Sequence, residues 1–552
     1  MFPNYSIATL LALSSHVLGH SISCRQENSS TSDPQILLGQ TITALGGNES
    51  ISALQSVAYI GGTIFRSKSI LFAISLDGLD APGVTTGLQN ITFSYSEPSV
   101  TQRIDKFAQL GSHFTFGRPN LPPMDYSMVV QTGDSGFASI VRGSFNFYAP
   151  TAEPTGYTDG LLAEYMISEA HKWNPLLLST IQSNSNLSFR QETVGAVQLS
   201  GVYDENLGIA VFLDPQTQLP HTIRTYENHP FFGPSTADLR VSHYRTVEGV
   251  QLPSRFKQIY NNKHVLSDYR ADEILVDSEI AADFFAVTGT IPETSVPARN
   301  PEYDFAEIGE STAVFFWAGP FSGTLETLQA IQPIADLPSL WQLDFGSGFR
   351  QAVVELDDGS VIVIDASAHQ SKVLIEWAEQ TLGKPVTHVW PSHHHHDHAF
   401  GLTDYVAIGA KVILPETSVG YYAALNLSDA QVITYTVDTP YTVSDNRTQL
   451  ALVHMGDTIH AEDIGYAYIR PAFPTTNSST AIFDADHCNL NFVETFDQGT
   501  TEALLSSLAA DGVAANAMLI AAHGPVGTLQ NLTNVTSFPY PNHSPLDFQY
   551  SS

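Results

Sequence analysis

Cysteine, basic side chains and long apolar runs are all scarce in this sequence, and each shortage narrows the reading. Only two cysteines occur in 552 residues, Cys24 and Cys488. An oxidising compartment permits one bridge between them, which would tie the N-terminal region to the C-terminal half. A free buried thiol at Cys488 fits the sequence equally, and a thiolate ligand is a third option. Lys and Arg number 23 against 56 Asp and Glu, a net charge of −33. That excludes the basic footprint which nucleic acid or an anionic membrane would require. It also disfavours strongly anionic substrates unless metal ions offset the field locally. No glycine-rich phosphate loop and no Gly-x-Ser-x-Gly nucleophile elbow is present. Beyond the N-terminal segment no apolar run is long enough to span a membrane. Charged residues make up 14% and hydrophobic ones 43%, so most of the chain is expected to fold, into two or more domains.

The N-terminus reads as a secretory signal, residues 1–19. Its apolar core, residues 7–13, is too short to cross a bilayer, and Val17-Leu18-Gly19 places compact residues at the usual cleavage positions. The first four residues carry no Lys or Arg, a departure from the usual pattern. Asn28, Asn48, Asn90, Asn186, Asn426, Asn446, Asn477, Asn531, Asn534 and Asn542 each stand two before Ser or Thr without an intervening Pro. Together with the signal these point to a secreted glycoprotein.

The densest chemistry lies in Ser392-His393-His394-His395-His396-Asp397-His398-Ala399-Phe400-Gly401. An apolar run before it, Val386-Thr387-His388-Val389-Trp390, reads as a buried strand. Leu402, Tyr405 and Val406 after it suit one face of a short helix. A strand-to-helix turn can splay neighbouring side chains toward two nearby points, and imidazoles with a carboxylate suit Zn²⁺, and also Fe or Mn. A purification tag would sit at a terminus, and a low-complexity tract would lack the strand-like flanks. His394 and His396 are the spacers, read as supporting or exposed rather than ligating.

The motif resembles the signature of the metallo-β-lactamase superfamily, His-x-His-x-Asp-His after a strand. The resemblance covers about residues 339–532 and implies an αβ/βα four-layer sandwich. In this sequence the remaining ligands have candidates in order at strand ends. His460 precedes an alternating strand at 464–469, and His454 is its rival. The run Ile482-Phe483-Asp484-Ala485-Asp486 ends in a carboxylate; Asp486 fits the superfamily's bridging position, with Asp484 as rival. Met518-Leu519-Ile520-Ala521-Ala522 runs into His523. By resemblance, His393, His395 and His460 hold one metal, Asp397, His398 and His523 hold a second, and Asp486 bridges. Two divalent cations, Zn foremost, would share a hydroxide as nucleophile, with Asp397 orienting it or managing its proton. Asp365, at the end of a neighbouring strand, is a candidate to fix the tautomer of a ligating imidazole.

Upstream, residues 35–54 carry two helical patterns broken at Gly46-Gly47. From 57 to 287 short alternating runs recur between turn residues, for example at 58–65, 91–95, 127–131, 209–213, 222–226 and 254–259. One helical interruption, 159–173, has Leu162, Met166 and Ala170 on one stripe and is expected to plug or cover a curved antiparallel sheet. His171 and His221 are expected to be structural or exposed. This half resembles a lipoprotein-carrier-like half-barrel through Ala44-Leu45-Gly46-Gly47, Gly249-Val250-Gln251-Leu252-Pro253 and Ile280-Ala281-Ala282-Asp283-Phe284-Phe285. The domains are therefore 20–287 (β-rich), 288–310 (a Pro/Thr-rich linker) and 311–552 (catalytic), in an α+β/α/β chain. The function implied is a secreted hydrolase acting on an ester, lactone, amide or related bond of a small molecule, with loop 472–479 among the substrate contacts. The alternatives are a mononuclear Fe dioxygenase of the same superfamily and a non-enzymatic carrier of a lipid-like ligand.

Overall fold

The structure is a computed structural model. It describes residues 32–550 apart from 69–74, 77–83, 96–98, 111–123, 144–155, 159, 230, 288–322, 347, 368, 457 and 492–497. The signal at 1–19, Cys24, Asn28 and the linker 288–310 thus lie outside the described residues. No helix among the described residues is long and apolar enough to cross a membrane.

The chain begins with helix Pro34–Leu45, started by Asp33, whose carboxylate accepts from the Gln35 and Ile36 amides. It stops at Gly46, and helix Gly47–Ala53 follows, as the sequence suggested. Fifteen of the strands from Ser56–Ile60 to Glu273–Val276 then form one sheet, antiparallel at every pairing, while Arg245–Val247 and Val250–Leu252 pair as a separate hairpin. The expected strand at 58–65 is in fact two, Ser56–Ile60 and Ile64–Ser67. Gly61 sits at φ +113°, and the Asp272 carboxylate accepts from the amides of Gly62 and Thr63 at 3.0 and 3.1 Å. Those bonds replace ladder bonds and turn the chain. Helix Gly160–Trp173 buries Leu162, Met166 and Ala170 as its stripe demands. Trp173 continues the packing, stacked on Phe256 at 5.1 Å.

Two further sheets make up the C-terminal half. In the first, strands Gln329–Ile331, Leu340–Asp344, Arg350–Glu355 and Val361–Ile364 run antiparallel. His388–Trp390, Lys411–Pro415 and Val432–Tyr435 then add in parallel. Parallel neighbours need crossovers, and the crossovers here carry helices Gln370–Trp377 and Leu402–Ala407. The second sheet holds Tyr441–Ser444, Thr448–His454, Gly465–Pro471, Ala481–Asp484, Met518–Ala521 and Gly527–Thr528. Alternation decides which core each residue joins. Ile362 and Ile364 pack with Leu452, Ile469, Phe483 and Ile520 of the second sheet. Val361 and Val363 point the other way, onto Leu374, Trp377 and Tyr405. Tyr466, Ile482 and Leu519 meet helix Gln498–Ala510 through Leu504, Leu505 and Leu508.

Apolar contact crosses between the halves. The hairpin joining strands Pro220–His229 and Gly233–Ser242 carries Phe231, which is fully buried and belongs to the core around Leu374 and Tyr405. Burying such a ring contributes about 2–3 kcal/mol, so the two halves are packed together and not merely tethered.

Candidate metal centre

The site lies where the parallel strands end. After His388–Trp390 the chain turns through Ser392, His393 and His394. His395 then sits in extended backbone ahead of the single turn His396–Ala399. Three backbone bonds hold that turn: His398 N to His395 O, Ala366 N to His398 O and Gly401 N to Ala366 O, at 2.8 to 3.0 Å. Gly401 is required because a Cβ there would lie 2.8 Å from Ser367 O and 2.9 Å from Ala366 O. His460 arrives from the loop before Gly465–Pro471, whose first amide donates to Ser392 O. Asp486 follows Ala481–Asp484, and His523 follows Met518–Ala521.

All seven sequence-predicted residues are buried and brought together. They form two groups, each able to hold a metal ion: His393, His395, His460 and Asp486, and Asp397, His398, Asp486 and His523. Asp486 is common to both. Its Oδ2 lies 3.3, 3.0 and 3.2 Å from the Nε2 atoms of His393, His460 and His398, and its Oδ1 is 3.1 Å from His523 Nε2. Imidazole nitrogens also face one another, His393 to His460 and His398 to His523, each pair at 3.2 Å. Donors on a tetrahedral cation at 2.0–2.1 Å stand about 3.3 Å apart, the spacing seen here. Neither oxygen of Asp486, nor Oδ1 of Asp397, makes a hydrogen bond, although all are buried. Buried carboxylates without hydrogen bonds are costly in an ordinary core, and converging donors around them fit a divalent cation.

The electrostatics differ from one imidazole to the next. Burial holds the His393 and His460 imidazoles below the usual histidine range, which favours the neutral form that can bind a metal. Burial acts the same way on His398, but the carboxylates of Asp365, Asp486 and Asp397 outweigh it and raise its pKa. Burial would raise the Asp486 carboxyl; the imidazoles of His398, His523 and His460 outweigh it and hold it well below the usual range.

The surrounding shell was partly legible. Asp365 does what the sequence suggested: its Oδ2 accepts from His398 Nδ1 at 2.8 Å, and its Oδ1 from Ser392 Oγ at 3.0 Å. It does so at φ +77°, a left-handed conformation that costs a non-glycine residue on the order of 1 kcal/mol. The rival ligands are placed elsewhere. His454 Nε2 pairs with Glu462 O at 2.8 Å. Asp484 accepts from the His487 ring, the His487 amide and the Cys488 thiol. Cys488 is buried and belongs to neither group. Sequence reasoning missed Asp463, whose Oδ1 lies 2.7 Å from His394 Nδ1, and Phe349, whose ring is 4.6 Å from His523. It also misplaced loop 472–479. Strand Gly465–Pro471 starts at the site, and the loop leaves its far end, about 20 Å away at 3.3 Å per residue. His221 is half-buried, with Nδ1 on Thr222 Oγ1.

The family model described as the metallo-beta-lactamase superfamily matches residues 351–431. The matched region lies in the C-terminal half of the chain, and over it the chain is similar to that superfamily. The match takes in the histidine motif and ends before His460, Asp486 and His523. Among solved structures, a metallo-beta-lactamase from Pontibacter korlensis aligns at 16% identity and a TM-score of 0.29, over 38% of this chain and 99% of its own. One from Hirschia baltica aligns at 14% identity and a TM-score of 0.27, over 39% and 99%. The search of curated proteins found no match.

Proposed function

We propose that the chain is a secreted, metal-dependent hydrolase of a small, neutral, rather apolar molecule, cleaving an ester, lactone, amide or related bond. The observation that carries this reading is the pair of buried His/Asp groups sharing Asp486. His393, His395 and His460 would hold one cation, Asp397, His398 and His523 the other, with Asp486 between them. Zn is the first choice for such a nitrogen-rich donor set. When bound, the cations would supply Lewis acidity and a water of lowered pKa.

The protein's own groups do the rest. Asp365 holds the His398 ring with Nε2 turned into the site, which fixes the tautomer that can ligate. Asp397 Oδ1, buried and without a hydrogen bond, is placed to take and return a proton. The hydrolase reading is supported over the carrier reading by helix Gly160–Trp173, whose apolar stripe lies in the core of the N-terminal sheet. We assign residues 20–287, 288–310 and 311–552 as sheet domain, linker and αβ/βα catalytic sandwich. The sequons support export: Asn48, Asn186, Asn426, Asn446, Asn477, Asn531, Asn534 and Asn542 are exposed.

The test is turnover of a panel of esters, lactones, amides and phosphoesters by the full chain. Hydrolysis lost on chelation and restored by Zn²⁺ is the expected result. One Fe per chain with oxygen uptake and no hydrolysis would overturn it in favour of the dioxygenase.

A further inference from the structure

The two spacer imidazoles, His394 and His396, belong to neither metal group, yet both are buried and both are met by the N-terminal half. His394 Nδ1 faces the Asp463 carboxylate at 2.7 Å, so Nδ1 carries the proton and Nε2 is the acceptor. That acceptor receives the backbone N–H of Leu76 at 3.2 Å and lies 3.3 Å from Ser75 Oγ. More than 300 residues separate these partners in sequence.

His396 is met by the hairpin tip. Its ring stacks on Phe400 at 4.2 Å, and its Nε2 lies 3.2 Å from Tyr421 Oη. Against this stack rest the rings of His229, 5.4 Å from His396, and Phe231, 5.7 Å from His396 and 5.1 Å from Phe400. The tip owes its shape to His229, whose Nδ1 accepts the amides of Phe231 and Phe232 at 3.0 and 3.3 Å.

The spacers alternate with His393, His395 and Asp397. A backbone rotation at either spacer must therefore turn its neighbours, and a clamp on the spacers is a clamp on the ligand candidates. Packing alone would not need an N–H aimed at an imidazole between two of them. We propose that the N-terminal half is a working part of the metal centre. Leu76, through its N–H, and His229, through the tip it shapes, are positioning residues that orient residues 393–397 before a cation arrives. The inference rests on the metal reading above.

Full-length variants test it. Leu76→Pro removes the N–H while Leu76→Ala keeps it. His229→Leu removes the acceptor while His229→Asn retains one close to the Nδ1 position. Metal-free protein is titrated with Co²⁺, followed by its visible spectrum, and with Zn²⁺ against a competing chelator; folding is checked by circular dichroism. Leu76→Pro and His229→Leu should bind about tenfold more weakly with an altered Co²⁺ spectrum, and Leu76→Ala and His229→Asn should stay within about twofold of wild type. Folded Pro and Leu variants that titrate like wild type would overturn the proposal. So would Ala and Asn variants weakened as much as their counterparts. If Leu76→Pro does not fold, the His229 pair decides. A wild type that takes up neither ion brings down the metal reading itself, an outcome distinct from a wild type that binds and variants that match it.

Discussion

Both halves of this chain bury ionised groups, and they treat them in opposite ways. In the N-terminal sheet the buried Arg224 and Lys172 are matched. Arg224 gives Asp238 two bonds at 2.7 and 2.8 Å and reaches Glu192 and Asn262 as well. Lys172 sits 2.6 Å from Glu169, which also accepts from Trp173 and Gln258. In the C-terminal half, the oxygens of Asp486 are crowded by imidazole nitrogens, and neither they nor Oδ1 of Asp397 makes a hydrogen bond. Among the described residues these are the buried carboxylate oxygens without a hydrogen bond. The contrast separates structure from function. A matched buried ion serves the fold, whereas donors that converge on a point and do not satisfy one another are held for something else.

The largest effect should come from breaking a matched group. Arg224→Ala leaves Asp238 buried and unpaired, and should cost about 3–5 kcal/mol of stability. Its metal content should equal that of wild type, as read by denaturant melts and elemental analysis of the same sample. Loss of metal with that lesion would blur the distinction between the halves. Next, Gly401→Ala forces a Cβ against the carbonyls of Ala366 and Ser367. It should destabilise by about 1–3 kcal/mol and, unlike the arginine change, weaken metal binding too, because that backbone carries the ligand turn.

A third prediction concerns pH. Burial pushes the Glu227 carboxyl up to about 7, against the pull of Lys172 and the Tyr260 hydrogen bond. An unfolded glutamate titrates near ~4.3. The native state therefore keeps a proton that the unfolded state releases between these values, and stability falls as pH rises through that window. Glu227→Gln should flatten this dependence and gain on the order of 2 kcal/mol at about pH 8, with little change at about pH 5. Melts at the two pH values decide it; an unchanged slope would contradict it. The smallest effect belongs to Asn477→Gln, in the exposed loop far from the site. Stability should move by less than about 0.5 kcal/mol, while protein secreted from a eukaryotic host loses the mass of one glycan.

The sequence carried the candidate ligands better than their setting. His393, His395, Asp397 and His398 are local in sequence, and a strand before them is enough to aim them. His460, Asp486 and His523 each stand at the edge of an apolar run, so their proximity followed once those runs were taken as strands of one sheet. Loop 472–479 was misplaced although the order His460, strand, loop, strand, Asp486 already puts it at the far end of that pair; the pairing of His454 with Gly465 and of Thr448 with Pro471 shows the same. The break at Gly61-Gly62 depends on Asp272, more than 200 residues away. The same holds for Phe231. Nothing in the sequence around it shows that this side chain is buried in the other half of the molecule.

The central claim is that Asp486 joins two cation sites into one centre. Elemental analysis of the purified full chain, wild type beside Asp486→Asn, tests it most directly. The account predicts about two divalent ions per wild-type chain and a loss from both groups in the variant, with the fold intact by circular dichroism. A variant that keeps its full complement of metal, or a folded wild type that takes up none when ions are supplied, would contradict it.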